Sequence, residues 1–130
     1  PQVIKNGEKI YDREIKSGKL KILKGFWENV CPKLPAKSFD GILFDSCSLD
    51  SGVEFFQFLP FFKEANRLLK DDGIFTYFSD EDKNISKIHK NKLMETGFKN
   101  IDYRICRVHP PKTCQYWKHN TIIVPVIRKK

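Results

Sequence analysis

The amino-acid sequence predicts a single α/β domain spanning residues 1–130. Three observations carry the prediction. Gly41-Ile42-Leu43-Phe44 is an unbroken apolar run ending in Asp45 and then in small, turn-prone residues; apolar residues that run together instead of alternating mark a central strand buried on both faces. Phe61, Phe62, Ala65, Leu68 and Leu69 fall at i, i+1, i+4, i+7 and i+8, the buried stripe of a helix. The chain then closes with two strand-like runs and no helix between them, the pattern of an antiparallel hairpin at a sheet edge.

In chain order, Pro1 to Ser17 carries apolar residues at helical spacing and is closed by Gly18. Leu20 to Gly25 alternates in part and predicts a short strand, and Phe26 to Val30 predicts a turn of helix before the loop Pro32-Lys33-Leu34-Pro35. The strand ending at Asp45 follows, then a loop from Ser46 to Gly52. The stripe helix enters around Leu59-Pro60, because proline is accepted in a helix's first turn. Lys70-Asp71-Asp72-Gly73 stops it, and Ile74 to Phe78, aromatic and β-branched, is the next strand. Asn84 to Thr96 predicts a helix with Ile85, Ile88, Leu93 and Met94 as its apolar positions and Gly97 as its cap. Asn100 to Cys106 and Thr121 to Ile127 are the final strands.

Composition bounds the function. A hydrophobic fraction of 40% and an aromatic fraction of 13% describe a packed protein rather than a disordered one. No apolar run reaches the roughly 20 residues needed to span a bilayer, and the charged N-terminal stretch lacks the apolar core of a signal peptide. A cytoplasmic location is the expectation. The net charge of +8 is unevenly placed: Ile101 to Lys130 holds seven Lys or Arg against one acid, whereas Asp40 to Lys83 holds ten acids against four bases. The bases are scattered and do not form a stripe interleaved with aromatic residues, which argues for a solvated face and against nucleic acid. The four cysteines, Cys31, Cys47, Cys106 and Cys114, have neither CxxC spacing nor a nearby histidine pair, so no metal site is expected and buried free thiols are.

An acid at the carboxyl end of a parallel strand lies where open α/β sheets place their ligand crevice, which singles out Asp45. Around it, Lys24-Gly25-Phe26-Trp27-Glu28-Asn29-Val30, Phe39-Asp40-Gly41-Ile42-Leu43-Phe44-Asp45 and Arg67-Leu68-Leu69-Lys70-Asp71-Asp72-Gly73-Ile74-Phe75-Thr76-Tyr77 stand in a characteristic order and spacing. The loop Pro110-Pro111-x-x-Cys114-x-Tyr116 precedes the last strand. From about Gly18 onward the chain resembles the guanidinoacetate N-methyltransferases, class I S-adenosylmethionine-dependent enzymes that make creatine; fungal-type arginine methyltransferases share their core. The resemblance implies a Rossmann-like methyltransferase fold, S-adenosylmethionine as cofactor, and methyl transfer to a guanidino or amine nitrogen of a small molecule.

The resemblance also identifies what this sequence lacks. The family's fold opens with a strand, a glycine-rich loop, a helix and a second strand ending in an acid that holds the ribose. The two missing strands would lie between the strand at Leu20 and the strand at Asp45, and without them strand edges stay unpaired. The expectation is therefore the C-terminal part of a longer chain, or a partner chain that completes the sheet.

Residue by residue, the resemblance assigns Trp27 and Glu28 to the cofactor, where an aromatic face packs on the adenine and an adjacent polar group fixes its orientation. It assigns Asp45 to the cofactor and to the substrate's guanidino group, where a carboxylate orients the nitrogen and accepts its proton. Asp80 and Glu81 fall in the loop that holds the substrate carboxylate through backbone amides. Here they form an acidic run with Asp82, which would repel an anionic group and favours a cationic acceptor. Ser46 and Cys47 stand where the family commonly has Thr-Tyr, which points to altered acceptor recognition; Cys47 has no base near it in sequence to activate it as a nucleophile. His89 on a charged helix and His119 in a basic loop are expected at the surface, and His109 in a loop. The alternative reading is a catalytically inactive methyltransferase-like subunit with a structural or assembly role.

Overall fold

Phe62, Ala65 and Leu68 are the buried residues of helix α4 (Phe62–Leu68), which is entered through a 3-10 turn at Leu59–Phe61 containing Pro60. With Phe61 and Leu69 they realise the helical stripe, none of the five more than 4% exposed. The computed structural model describes residues 2–45 and 59–130. These fall into two compact units, Pro1–Leu34 and Pro35–Lys130.

The second unit is a four-stranded sheet built from β1 (Phe39–Phe44), β2 (Leu69–Tyr77), β3 (Asn100–Arg107) and β4 (Thr121–Arg128). The spatial order is β1-β2-β4-β3. β1 and β2 are parallel, joined in register from Gly41↔Ile74 to Phe44↔Tyr77. β4 runs antiparallel to both neighbours, and with β3 it forms the expected hairpin, paired from Asn100↔Arg128 to Arg107↔Thr121. The β2–β4 ladder is confined to Ile74↔Arg128 and Phe75↔Ile127. This accommodates Pro125, which has no N–H to offer a second neighbour in the middle of a strand.

All three helical elements of this unit lie on one face. Phe61 stacks on Phe44 at 4.2 Å between ring centroids, Phe62 meets Phe75 and Tyr77, and helix α5 (Lys87–Glu95) reaches Tyr77 through His89. Burial alternates accordingly along β2 and β4, with Phe75, Tyr77, Ile123, Pro125 and Ile127 inside. α5 opens on Ser86, whose Oγ accepts from His89 N–H, and closes through Gly97 N–H to Met94 and Phe98 N–H to Leu93, a Schellman arrangement in which Phe98 and Leu93 are both buried.

Helix α4 ends where its last carbonyls find partners. The N–H of Lys37 bonds Arg67 O and that of Ser38 bonds Leu68 O, both at 2.9 Å. Lys129 Nζ, only 9% exposed as a residue, donates to Asn66 O at 2.6 Å and Leu69 O at 2.8 Å. Burial, together with the nearby Lys37 cation, holds the Lys129 pKa below the usual lysine range. Beside this cap Gly73 is irreplaceable on space alone: a Cβ there would lie 2.9 Å from Lys70 O and 3.1 Å from Asp40 O.

Several expectations are corrected. β1 is an edge strand with Leu43 76% exposed, not a central strand buried on both faces. Its apolar run records a need for cover on two sides, and the helices of this unit supply one. Lys70 to Gly73 does not separate helix from strand; the helix stops at Leu68 and β2 already begins at Leu69. α5 is shorter than Asn84 to Thr96, and Ile88 and Met94 on it are 66% and 56% exposed. In the first unit, helices α1 (Gln2–Ile10) and α2 (Asp12–Lys16) break at Tyr11, and Gly18 follows as expected. Leu20 to Lys24 forms no strand, because no neighbouring strand takes up its N–H and C=O groups among the described residues. The short helix α3 (Trp27–Val30) and a 3-10 turn at Cys31–Lys33 complete the unit. The Ser46 to Gly52 loop lies outside the described residues.

Replacing Lys129 by Met leaves two largely buried carbonyls without a donor and lowers the unfolding free energy of the complete chain by about 2–3 kcal/mol. The same change at exposed Lys130 shifts it by less than about 0.5 kcal/mol. Urea unfolding of the two variants checks this, and equal midpoints would show that the cation does not hold the end of α4.

Candidate functional site

Asp45 directly follows β1 and is exposed. The parallel register Phe44↔Tyr77 brings the next residues, Asp45 and Phe78, alongside each other at the carboxyl ends of β1 and β2, the end at which open α/β sheets carry their sites. Phe78 meets the loop before β4: its ring packs edge-on against Trp117 at 5.5 Å and Tyr116 at 6.2 Å, and Trp117 meets the His119 ring at 5.0 Å. Trp117 is 8% exposed and its buried Nε1–H has no hydrogen-bond acceptor. Tyr116 is 81% exposed. The Pro110 to Tyr116 loop thus converges on the same strand end as Asp45, through Phe78.

The acidic run after β2 does not present three carboxylates to solvent in parallel. Asp80 adopts a left-handed backbone (φ 55). Glu81 is turned inward, its side chain 10% exposed: Oε1 accepts from Ser86 N–H at 2.9 Å and Oε2 from His89 Nδ1–H at 3.0 Å. Asp82 lies 3.2 Å from His119 Nδ1. The loop is also stitched to the start of β4. Ser79 Oγ donates to Ile123 O (2.7 Å), Ile123 N–H donates to Glu81 O (2.8 Å), and Thr121 Oγ1 donates to Asp82 O (2.9 Å).

His89, expected at the surface, is fully buried. The correction has a plain cause: His89 stands four residues before buried Leu93 and shares its face of α5, inside a run of lysines that masks the stripe. Burial lowers the His89 pKa, against the opposing hydrogen bond and charge of Glu81. In the neutral ring the Glu81 carboxylate, which can only accept, fixes the proton on Nδ1, and Nε2 accepts from the Tyr77 hydroxyl. Burial, then the Glu81 charge, raises the Tyr77 pKa and keeps it a donor. A chain of donors therefore runs from Tyr77 through His89 to Glu81. His119 (56% exposed side chain) is at the surface and His109 is in a loop, each as expected.

Trp27 and Glu28 belong to the first unit, where Gly25 (φ 146) turns the chain into α3; a Cβ on Gly25 would lie 2.8 Å from Val30 Cγ2. Trp27 is half-buried and Glu28 exposed in the helix's first turn. Cys47 lies outside the described residues; Cys106 and Cys114 are half-buried, unbridged thiols. Among the described residues no three His, Cys, Asp or Glu side chains could hold a metal ion, and no helix is long and apolar enough to cross a membrane.

The family model described as guanidinoacetate N-methyltransferase matches residues 9–130. The chain belongs to that family, and its partly parallel α/β sheet is an incomplete form of the Rossmann-like methyltransferase fold.

The buried histidine makes stability depend on pH. Its folded pKa lies below the ordinary value of 6.5, so between the two the unfolded chain binds a proton that the folded chain does not. The stabilisation is complete above about pH 6.5 and is lost as pH falls through the folded value. Urea midpoints measured from pH 8 down to pH 5 fall accordingly, and His89→Gln flattens this decline; an unchanged slope in the variant would show that another group titrates.

Proposed function

We propose that this family member contributes the acceptor side of an S-adenosylmethionine-dependent N-methyltransferase acting on a guanidino or amine nitrogen of a small molecule, of the kind that makes creatine. The observation that supports this most directly is Asp45: an exposed carboxylate at the carboxyl end of β1, next in line to Phe78 and the tethered 79–82 loop. A carboxylate there accepts hydrogen bonds from the N–H groups of an acceptor, aims one nitrogen lone pair, and takes up the proton released when that nitrogen becomes alkylated. The backbone around Asp80 and Glu81 binds the far end of the acceptor. The inward turn of Glu81 and the pairing of Asp82 with His119 reduce the acidity that an anionic group would meet there.

The cofactor supplies an electrophilic methyl group on a sulfonium. Trp27 and Glu28 would hold its adenosine part, the indole by packing and the carboxylate by accepting hydrogen bonds. β1 is the outermost strand of the sheet among the described residues, and its exposed Leu43 favours completion of the sheet by a further polypeptide, either an N-terminal segment of a longer chain or a partner chain. The same edge is what an inactive methyltransferase-like assembly subunit would present, which makes that the second reading.

In the complete chain or complex, Asp45→Asn lowers methyl transfer to guanidinoacetate by roughly 10²-fold or more while leaving the fold intact. Unchanged turnover in the variant sinks the role given to Asp45. Absence of S-adenosylhomocysteine binding by the native complex would favour the assembly reading instead.

A further inference from the structure

We propose that the Glu81 side chain plays a positioning role, anchoring the 79–82 loop as a preformed strap at the acceptor site without itself touching the acceptor. The inference rests on the acceptor-site reading above and assigns this side chain a different task from the one its place in an acidic run suggests. Both carboxylate oxygens are already engaged within the chain, one by the Ser86 N–H that precedes α5 and one by His89 Nδ1–H. The backbone of the same residue is held from the other side, its carbonyl by Ile123 N–H at 2.8 Å and its N–H by Ser79 Oγ at 3.3 Å. Ser79 is fully buried, and its hydroxyl passes the link on to Ile123 O. One residue therefore joins the loop to α5 through its side chain and to β4 through its main chain.

The conformation at the crest needs such anchoring. Asp80 sits at φ 55, a region unfavourable for a non-glycine residue that persists only where the surroundings determine it. Ser79 and Glu81, the residues on either side, carry the bonds that do so. His89 acts through Glu81: its ring is fixed by Tyr77 on Nε2, so the carboxylate meets a donor that cannot swing away. A preformed strap lets backbone groups meet an acceptor without an ordering cost at the moment of binding.

The charge on Glu81 is not what the anchor requires. A glutamine keeps an oxygen for Ser86 N–H and offers an N–H to Nδ1 of the opposite histidine tautomer, so an amide rebuilds the link. The test compares Glu81→Ala with Glu81→Gln in the complete chain, measuring deuterium uptake over residues 79–86 and the steady-state constants for guanidinoacetate. Glu81→Ala raises both the exchange rate of this segment and the KM roughly tenfold with little change in kcat, whereas Glu81→Gln stays within about threefold of the parent in both. Glu81→Gln raising KM as much as Glu81→Ala would mean that the charge meets the acceptor directly, and would overturn the proposal. Unaltered exchange in Glu81→Ala would overturn it as well. If the alanine variant does not fold, the glutamine variant alone decides, through KM. A parent protein that transfers no methyl group would refute the acceptor reading, and the exchange comparison would still decide whether Glu81 is the anchor.

Discussion

The sheet depends on how one short helix ends. The last carbonyls of α4 are met by backbone N–H groups of Lys37 and Ser38 and by the buried ammonium of Lys129. Ser38 is the residue before β1, Leu69 is the first of β2, and Lys129 is the first after β4. Three of the four strands therefore start or stop at a single hydrogen-bonded node, and the fourth, β3, is fixed by its complete pairing with β4. A seven-residue helix would not persist by propensity; its carboxyl end is a junction, and its aromatic face is the packing surface for Phe75 and Tyr77.

This arrangement leaves the other end of the parallel strands to chemistry. With the starts of β1 and β2 pinned at the node, their carboxyl ends emerge side by side, and the segments that follow are shaped by side-chain bonds in place of the ladder. The β2–β4 pairing has already stopped by Phe75, Pro125 offers no donor, and Ser79 and Glu81 reconnect to β4 at Ile123. The gap in the ladder and the loop at the candidate site are consequences of the same strand divergence.

Much of this was legible in the sequence, because the α4 stripe, the terminal hairpin and the acid after β1 are written in short-range periodicity. What escaped was written in three dimensions. His89 reads as solvated among Lys87, Ile88 and Lys90, and only its spacing to Leu93 betrays the inward face. Glu81 reads as one of three like charges, because nothing local says that Ser86 and His89 lie close enough to engage it. Leu20 to Lys24 has the composition of a strand but lacks a neighbour among the described residues, and the Leu43 run has no cover on its outer face among them. Trp117 gave no signal at all: a loop tryptophan becomes a buried ring only because Phe78 and His119 close around it.

The distribution of the two tryptophans has a spectroscopic consequence. Trp27 lies in the Pro1–Leu34 unit and is half-buried, and Trp117 lies in the Pro35–Lys130 unit, sealed among aromatic rings. Each compact unit thus carries one tryptophan, in surroundings of different polarity. Emission from the apolar Trp117 niche belongs at shorter wavelength than emission from the wetter Trp27 environment. Replacing either tryptophan by phenylalanine would leave a chain whose fluorescence follows the melting of one unit at a time.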